Sequence, residues 1–297
     1  MTPRVSVIIP FYKGIEWLCE AVESVLAQTF DNFELIVVND GSPENMLPFI
    51  ERYGDKIIYL SQENQGPAVA RNYGMSVATG DYFAFEDADD IWLPTKLEKQ
   101  IGFMEKGDFV WSHTGYYNWW PDSGRQVVVN NYHDYDDMSK QIKVSCRIAT
   151  PTIVVKRSAL EEHPDIRFAT NLRVGEDTAL YSQLSCLYGL ALVQEPLVKV
   201  RMRGDKSYRD VLRRFEHRAI DYEINKDTMT PLMRFNGRLY VILHKIFGLK
   251  RNKVNEFFAK CCMVLPYGVE RVYIKWLVWT SKKDKKYILR WSDTDNS

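Results

Sequence analysis

Apolar positions along the first hundred residues switch between two periods. Val5 to Ile9 is a nearly continuous β-branched run ending at Pro10, the pattern of a strand buried on both faces. Ile15, Leu18, Cys19, Val22, Val25 and Leu26 then recur at helical spacing behind Gly14. Phe33 to Val38 is a second buried run, stopped by the turn sequence Asn39-Asp40-Gly41-Ser42-Pro43. A third strand is expected at Ile57 to Leu60. Pro67 suits the start of a helix carrying Val69, Ala70, Tyr73, Gly74 and Val77. Tyr82 to Phe85 reads as a fourth strand and runs directly into Glu86-Asp87-Ala88-Asp89-Asp90. This alternation implies βαβ units and a mainly parallel sheet. Ligands of such sheets bind beyond the carboxyl ends of the strands, where Pro10-Phe11-Tyr12, Asp40 and Asp87 to Asp90 all fall.

From Asp108 to Val155 the pattern loosens into aromatic clusters (Trp111, Tyr116, Tyr117, Trp119, Trp120), with strands expected at Gln126 to Val129 and Thr152 to Val155. A helix is expected to open at Glu176-Asp177 and run through Leu180, Leu184 and Leu187, followed by a final sheet or edge element at Val193 to Arg201. Beyond Lys206 the chain reads as helices of mixed charge. The expected division is therefore a catalytic domain over residues 1–205 and a helical extension over 206–297.

Lysine plus arginine equals aspartate plus glutamate at 39 each, so the molecule as a whole offers no net field to attract nucleic acid. Locally, Glu86 to Asp90 and Asp134 to Asp137 are acidic, while Lys245 to Arg290 is rich in lysine and arginine. Cys19, Cys146, Cys186, Cys261 and Cys262 lack zinc-type spacing and are expected to be reduced core thiols of a cytoplasmic protein. The N-terminal apolar run is too short for a signal peptide, and no stretch approaches the roughly 20 apolar residues that cross a bilayer.

The acidic cluster carries the strongest chemical signal. Four carboxylates within five residues repel one another unless a cation or protons neutralise them. Hard oxygen donors suit magnesium or manganese, although a solvated acidic turn in which Asp90 caps a helix near Pro94 would use the same residues. Asp40, followed by Gly41, is placed to accept hydrogen bonds from a base or ribose, or to close an Asx-turn. Arg71 falls in the first turns of a helix, on a different face from the apolar positions, within reach of a base or phosphate, or of a surface ion pair. In Gly175-Glu176-Asp177 a carboxylate opens a helix, where backbone N–H groups keep it ionised and able to take a proton, or where it only stabilises the helix end.

VSVIIPFY, ELIVVNDGSPE, ENQGPAVARNYGMSVATGDYFAFEDADDIWLP and VGEDTALYSQL occur in this order. On these segments, from about Val5 to Leu97 and again from Ala149 to Leu184, the chain resembles a family 2 glycosyltransferase of the GT-A fold. The resemblance implies an α/β fold with a Rossmann-like sheet flanked by helices, and an inverting transfer of sugar from a nucleotide-sugar. Pro10, Phe11 and Tyr12 would border the base pocket, Asp40 would bond the base and Arg71 would brace it. Asp87 and Asp89 match the DXD pair around Ala88, with Asp87 serving the ribose and Asp89 a Mn2+ or Mg2+ ion. Asp177 matches the general base, with Glu176 as its substitute. Some relatives add a downstream histidine ligand, whereas Val198 to Arg203 contains none. Arg201 and Arg203 would reach phosphate or decorate an edge strand.

The expected donor is a UDP-sugar, since an aspartate suits the N3–H of uracil, and thymine presents the same edge. The expected setting is bacterial surface polysaccharide or glycoconjugate synthesis, with a glycan or lipid-linked glycan as acceptor. Two rival readings use the same carboxylates. A sugar-phosphate nucleotidyltransferase needs a glycine-rich basic loop that Phe11-Tyr12-Lys13-Gly14 does not supply, and a binding module would use the carboxylates for structure alone. Past Leu265-Pro266-Tyr267-Gly268, Val272, Ile274, Trp276, Leu277 and Trp279 combine with Lys275, Lys282, Lys283, Lys285 and Lys286. This pattern fits a peripheral membrane surface, a homodimer contact or a packing helix.

Overall fold

The computed structural model describes residues 4–129, 148–172, 175–202, 219, 222 and 231–247. Asp134 to Asp137, Cys146, Arg203, Cys261, Cys262 and the whole expected pattern from Leu265 to Lys286 lie outside the described residues.

Strands β1 (Val5–Phe11), β2 (Phe33–Asp40), β3 (Ile58–Gln62) and β4 (Tyr82–Phe85) alternate with helices α1 (Ile15–Leu26), α2 (Leu47–Tyr53) and α3 (Pro67–Val77). Strand β1 pairs in parallel with β2 on one side and β4 on the other, and β2 pairs in parallel with β3. A strand hydrogen-bonded on both edges and covered on both faces meets no water, which is why Val5 to Ile9 shows no polar alternation apart from Ser6. Val5, Val7 and Ile9 face a core with Leu18, Val22 and Val25 of α1, and Ile8 faces a second core on the opposite side. That second layer contains α3. A Cβ at Gly74 would stand 2.6 Å from Ile8 Cγ2, so only glycine lets the helix lie this close to the sheet.

The remaining elements are β5 (Ile91–Trp92), α4 (Lys96–Lys106), β6 (Trp111–Trp120), β7 (Arg125–Val129), β8 (Val154–Lys156), α5 (Arg157–Glu162), α6 (Glu176–Leu187), β9 (Leu190–Arg201) and α7 (Pro231–Phe247). All nine strands form one sheet in the order β3-β2-β1-β4-β8-β6-β9-β5, with β7 added beside β6. The expectation of parallel pairing holds from β1 to β4. Beyond β4 the sheet is mixed: β8, β7 and β5 all pair antiparallel, and only β6 and β9 run in parallel.

Strands β5 and β6 and helices α2 and α5 went unread in the sequence. Strand β6 has ten residues, but its inner positions Ser112, His113 and Thr114 are polar and fully buried between β8 and β9, which hides the apolar run a central strand should show. Helix α2 has only seven residues and too few turns to display a period. Of the two alternatives expected at Val193 to Arg201, the sheet element is the one found: β9 has β6 on one side and β5 on the other and is not an edge. Of the two described thiols, both free, Cys19 is half-buried against the α1-side core as expected, whereas Cys186 is exposed.

Candidate active site

The carboxyl ends of β1, β2 and β4 point to one rim of the sheet, as parallel neighbours must. At the end of β1, Pro10 is half-buried and Tyr12 is exposed, with Lys13 Nζ 5.2 Å from its ring centroid. Phe11 is removed from the expected pocket wall: its ring is buried in the α1-side core, because odd-numbered β1 residues face that layer.

At the end of β2, the buried Asp40 carboxylate organises the next loop. Its Oδ1 accepts from Gln62 Nε2 and Gln65 N, both at 2.8 Å, and its Oδ2 accepts from Gly66 N at 2.8 Å. Three of roughly four acceptor directions are thereby taken. The anion also sits at the N-terminus of α3, where unpaired N–H groups favour it. The turn itself is closed by its neighbour, whose Asn39 Oδ1 accepts from Ser42 N, three residues on, at 2.8 Å. Gly41 is required by a φ of 67° and by an approach in which its Cβ would lie 2.6 Å from Asn64 N.

The acidic turn after β4 separates into inner and outer carboxylates. Glu86 is wholly buried and neither of its oxygens has a hydrogen-bond partner. Burial, then the charges of Asp90 and Asp87, push its carboxyl well above the usual range. Asp90 is also buried and raised well above normal, by burial and then by Asp87 and Asp89. Its Oδ1 accepts from Arg201 N at 2.7 Å, so it does not cap α4. Burial and mutual repulsion thus disfavour the charged form of both inner groups, against the opposing pull of Lys96 on Glu86 and of Arg201 on Asp90. Beneath them, Lys96 Nζ donates to Gln100 Oε1 at 2.9 Å and lies 3.9 Å from the Trp92 ring centroid, and burial lowers its pKa to about 7.

The outer pair, Asp87 and Asp89, is half-buried. Asp87 Oδ1 accepts from Arg71 Nη2 at 2.7 Å, and Arg71 Nη1 lies 3.4 Å from Glu176 Oε1. Arg71 is buried rather than a surface cation, and its guanidinium packs 5.1 Å from the Phe168 ring centroid. Burial opposes its charge, but Asp87 and Glu176 outweigh that and hold it protonated. The same cation pulls Glu176 down, yet burial and the neighbouring Asp177 leave that carboxyl raised. Gly175, at φ 83°, opens α6 and turns Glu176 and Asp177 onto the site. Asp177 Oδ1 accepts from Thr178 N at 2.6 Å, whereas among the described residues its Oδ2 has only a long 3.5 Å contact with Thr150 Oγ1.

Sequence reasoning missed the part played by Arg201. Its Nε donates to Asp89 O at 2.7 Å, its guanidinium pairs with Glu20, and it lies between the rings of Trp17 and Trp119 at 5.4 and 4.6 Å. Main-chain and side-chain bonds from one residue thus pin both Asp89 and Asp90. No local signal marks this role, which exists only because β9 runs beside β5.

A sheet of this topology with an acidic turn at the mouth of β4 and a carboxylate-bearing helix facing it defines a GT-A type fold. The profile described as glycosyl transferase family 2 matches residues 6–163, and the chain belongs to that family. Among its relatives is an uncharacterized glycosyltransferase of Rickettsia bellii, 38% identical over 206 residues, which cover 69% of this chain and 29% of that protein. The chain thus spans under a third of that relative's length. A putative teichuronic acid biosynthesis glycosyltransferase, TuaG, of Bacillus subtilis is 33% identical over 190 residues, covering 61% of this chain and 72% of TuaG. Among solved structures, S. aureus TarS 1-349 in complex with UDP-GlcNAc superposes with a TM-score of 0.61 at 18% identity, covering 92% of each chain. The mannosyltransferase PcManGT from Pyrobaculum calidifontis, in complex with GDP-Man and Mn2+, gives 0.57 at 16% identity, covering 92% of this chain and 83% of that one. At such identities these two likenesses are of fold.

Proposed function

We propose that the protein is an inverting glycosyltransferase that moves a sugar from a nucleotide-sugar, a UDP-sugar by preference, to an acceptor hydroxyl. The observation that carries this reading is the Asp87–Arg71–Glu176 bridge, which ties the acidic turn after β4 to the first turn of α6. An inverting displacement needs a leaving-group site and a proton acceptor on opposite sides of one sugar, and this bridge supports both.

The chemistry of the acidic turn fits Mn2+ or Mg2+. Among the described residues no three His, Cys, Asp or Glu side chains could hold a metal by themselves. Asp89 would supply one hard oxygen, with donor phosphates and water completing the shell, as these ions prefer. When bound, the ion neutralises charge developing on the leaving diphosphate.

In the proposed reaction, the acceptor oxygen forms a bond to the anomeric carbon while the bond from that carbon to the diphosphate breaks. The acceptor proton passes to Asp177 Oδ2. Asp177 is better placed for this than Glu176, whose carboxylate is engaged by Arg71. Asp87 is assigned to the ribose, and Asp40, Pro10 and Tyr12 to the base, with Ala88 providing the small step between Asp87 and Asp89. The likeness to TuaG supports a role in bacterial surface polysaccharide or glycoconjugate assembly, with a glycan or lipid-linked glycan as acceptor.

The test is a panel of nucleotide-sugars assayed for manganese-dependent protection against thermal unfolding, together with the variant Asp177→Asn. Protection by a UDP-sugar is expected in both proteins, with sugar transfer falling at least about 100-fold in the variant. Absence of protection by every donor sinks the reading. Undiminished transfer by Asp177→Asn sinks the assigned base.

A further inference from the structure

Helix α7 (Pro231–Phe247) shows a second, unrelated surface. One of its faces is packed: Asn236, Gly237, Tyr240 and Leu243 are buried, and a Cβ at Gly237 would meet Tyr222 at 2.3 Å. The other face should be polar in an ordinary surface helix, yet Phe235, Ile242 and Ile246 are 59%, 53% and 60% exposed. At 3.6 residues per turn these three fall within about 40° of one another, so they form a single stripe. Exposed Arg234, Arg238 and Lys245 form a second stripe about 80° around the helix. No aspartate or glutamate occurs between residues 231 and 247.

We propose that this face of α7 lies on an anionic lipid surface, with Phe235, Ile242 and Ile246 entering the acyl boundary and the basic stripe meeting the head groups. An exposed apolar stripe flanked by cations is the arrangement that an interfacial helix requires. A second copy of the helix would cover the apolar stripe equally well, but would add three more cations and no carboxylate. The charge distribution of the chain points the same way. Residues 1–200 carry 17 Lys and Arg against 28 Asp and Glu, whereas residues 201–297 carry 22 against 11. The part of the chain that contains α7 therefore carries the net positive charge that a negative surface attracts. The surface is independent of the donor chemistry, so the test does not rely on catalysis.

The full chain is sedimented with vesicles of phosphatidylcholine alone and with an equal mixture of phosphatidylcholine and phosphatidylglycerol. Binding is expected only to the mixture, and is expected to be lost at about 1 M salt, where screening acts over about 3 Å. Each basic residue near such a surface strengthens partitioning about fivefold, so Arg234→Gln with Lys245→Gln should weaken it about 30-fold. Arg238 is left in place because its Nε donates to the Tyr222 hydroxyl at 3.1 Å. The variant Phe235→Gln/Ile242→Gln/Ile246→Gln should weaken binding at least tenfold, with an unchanged circular dichroism spectrum. Failure of the unaltered protein to bind anionic vesicles overturns the proposal. So does equal binding by both variants, or a dimer in solution that the apolar-stripe variant converts to monomer with no vesicle binding in either.

Discussion

Arg71→Met removes a cation and leaves two carboxylates facing each other across the space it filled. The Arg71 side chain is 6% exposed, Glu176 14% and Asp87 29%, so water screens Asp87 in part and the other two very little. Breaking a buried ion pair by deleting one member costs about 3–5 kcal/mol, and the partial exposure of Asp87 places the expected loss at about 3 kcal/mol. Losses of that size consume a large part of a typical folding stability of about 5–15 kcal/mol. The sign of the pH dependence follows from Glu176. Burial and Asp177 already raise its carboxyl against the pull of Arg71, so deleting Arg71 raises it further. A carboxyl raised in the folded state favours folding while it is protonated, and that benefit is lost as pH climbs through its folded pKa. Urea unfolding of both proteins at about pH 5 and about pH 8 should therefore show a larger deficit for the variant at the higher pH. Arg71→Met/Asp87→Asn/Glu176→Gln should recover most of the loss, because a neutral set in that space avoids the uncompensated charges. A deficit below about 1 kcal/mol, or a triple variant as unstable as the single one, would refute the bridge as the link between the two motifs.

Two further predictions concern the supports of the site. Arg201→Ala removes the side-chain bond to Asp89 O and the contacts with Trp17 and Trp119, so manganese-dependent protection by nucleotide-sugar should fall sharply while protection by nucleotide without metal changes little; equal loss of both would mean that the residue only stabilises the fold. Glu34 shows how a half-buried carboxylate can end below its ordinary pKa: burial pushes it up, but hydrogen bonds from Ser6, Thr79 and Gly80 outweigh that. Its stabilising effect is therefore present above the unfolded carboxylate range and lost as pH falls through the lowered folded value. Glu34→Gln should reduce stability at neutral pH and flatten the acid limb of an unfolding curve, and an unchanged acid limb would contradict this.

Much of this protein could be read from local pattern. The strands β1, β2 and β4 declare themselves because each is buried along most of its length, so its own residues record its burial, whereas β3 is a partly exposed edge strand. Asp40, Asp87 and Asp89 are found at strand ends because parallel pairing places the carboxyl ends together, and Glu176-Asp177 opens α6 as its glycine and spacing imply. What the chain alone could not show are the relations among these pieces. Arg71 and Glu176 lie 105 positions apart, and only packing of α3 and α6 on the same face of the sheet makes them partners. Phe11 left the pocket because side chains alternate across a pleated strand and its turn falls on the core side. Burial pushes Glu86 and Asp90 toward the neutral form while Asp87 pairs with Arg71 and Asp89 stays half-buried, although all four share one short turn, because desolvation and charge depend on what surrounds each carboxylate. Periodicity records whether a residue is buried; which groups surround it is decided when distant segments meet.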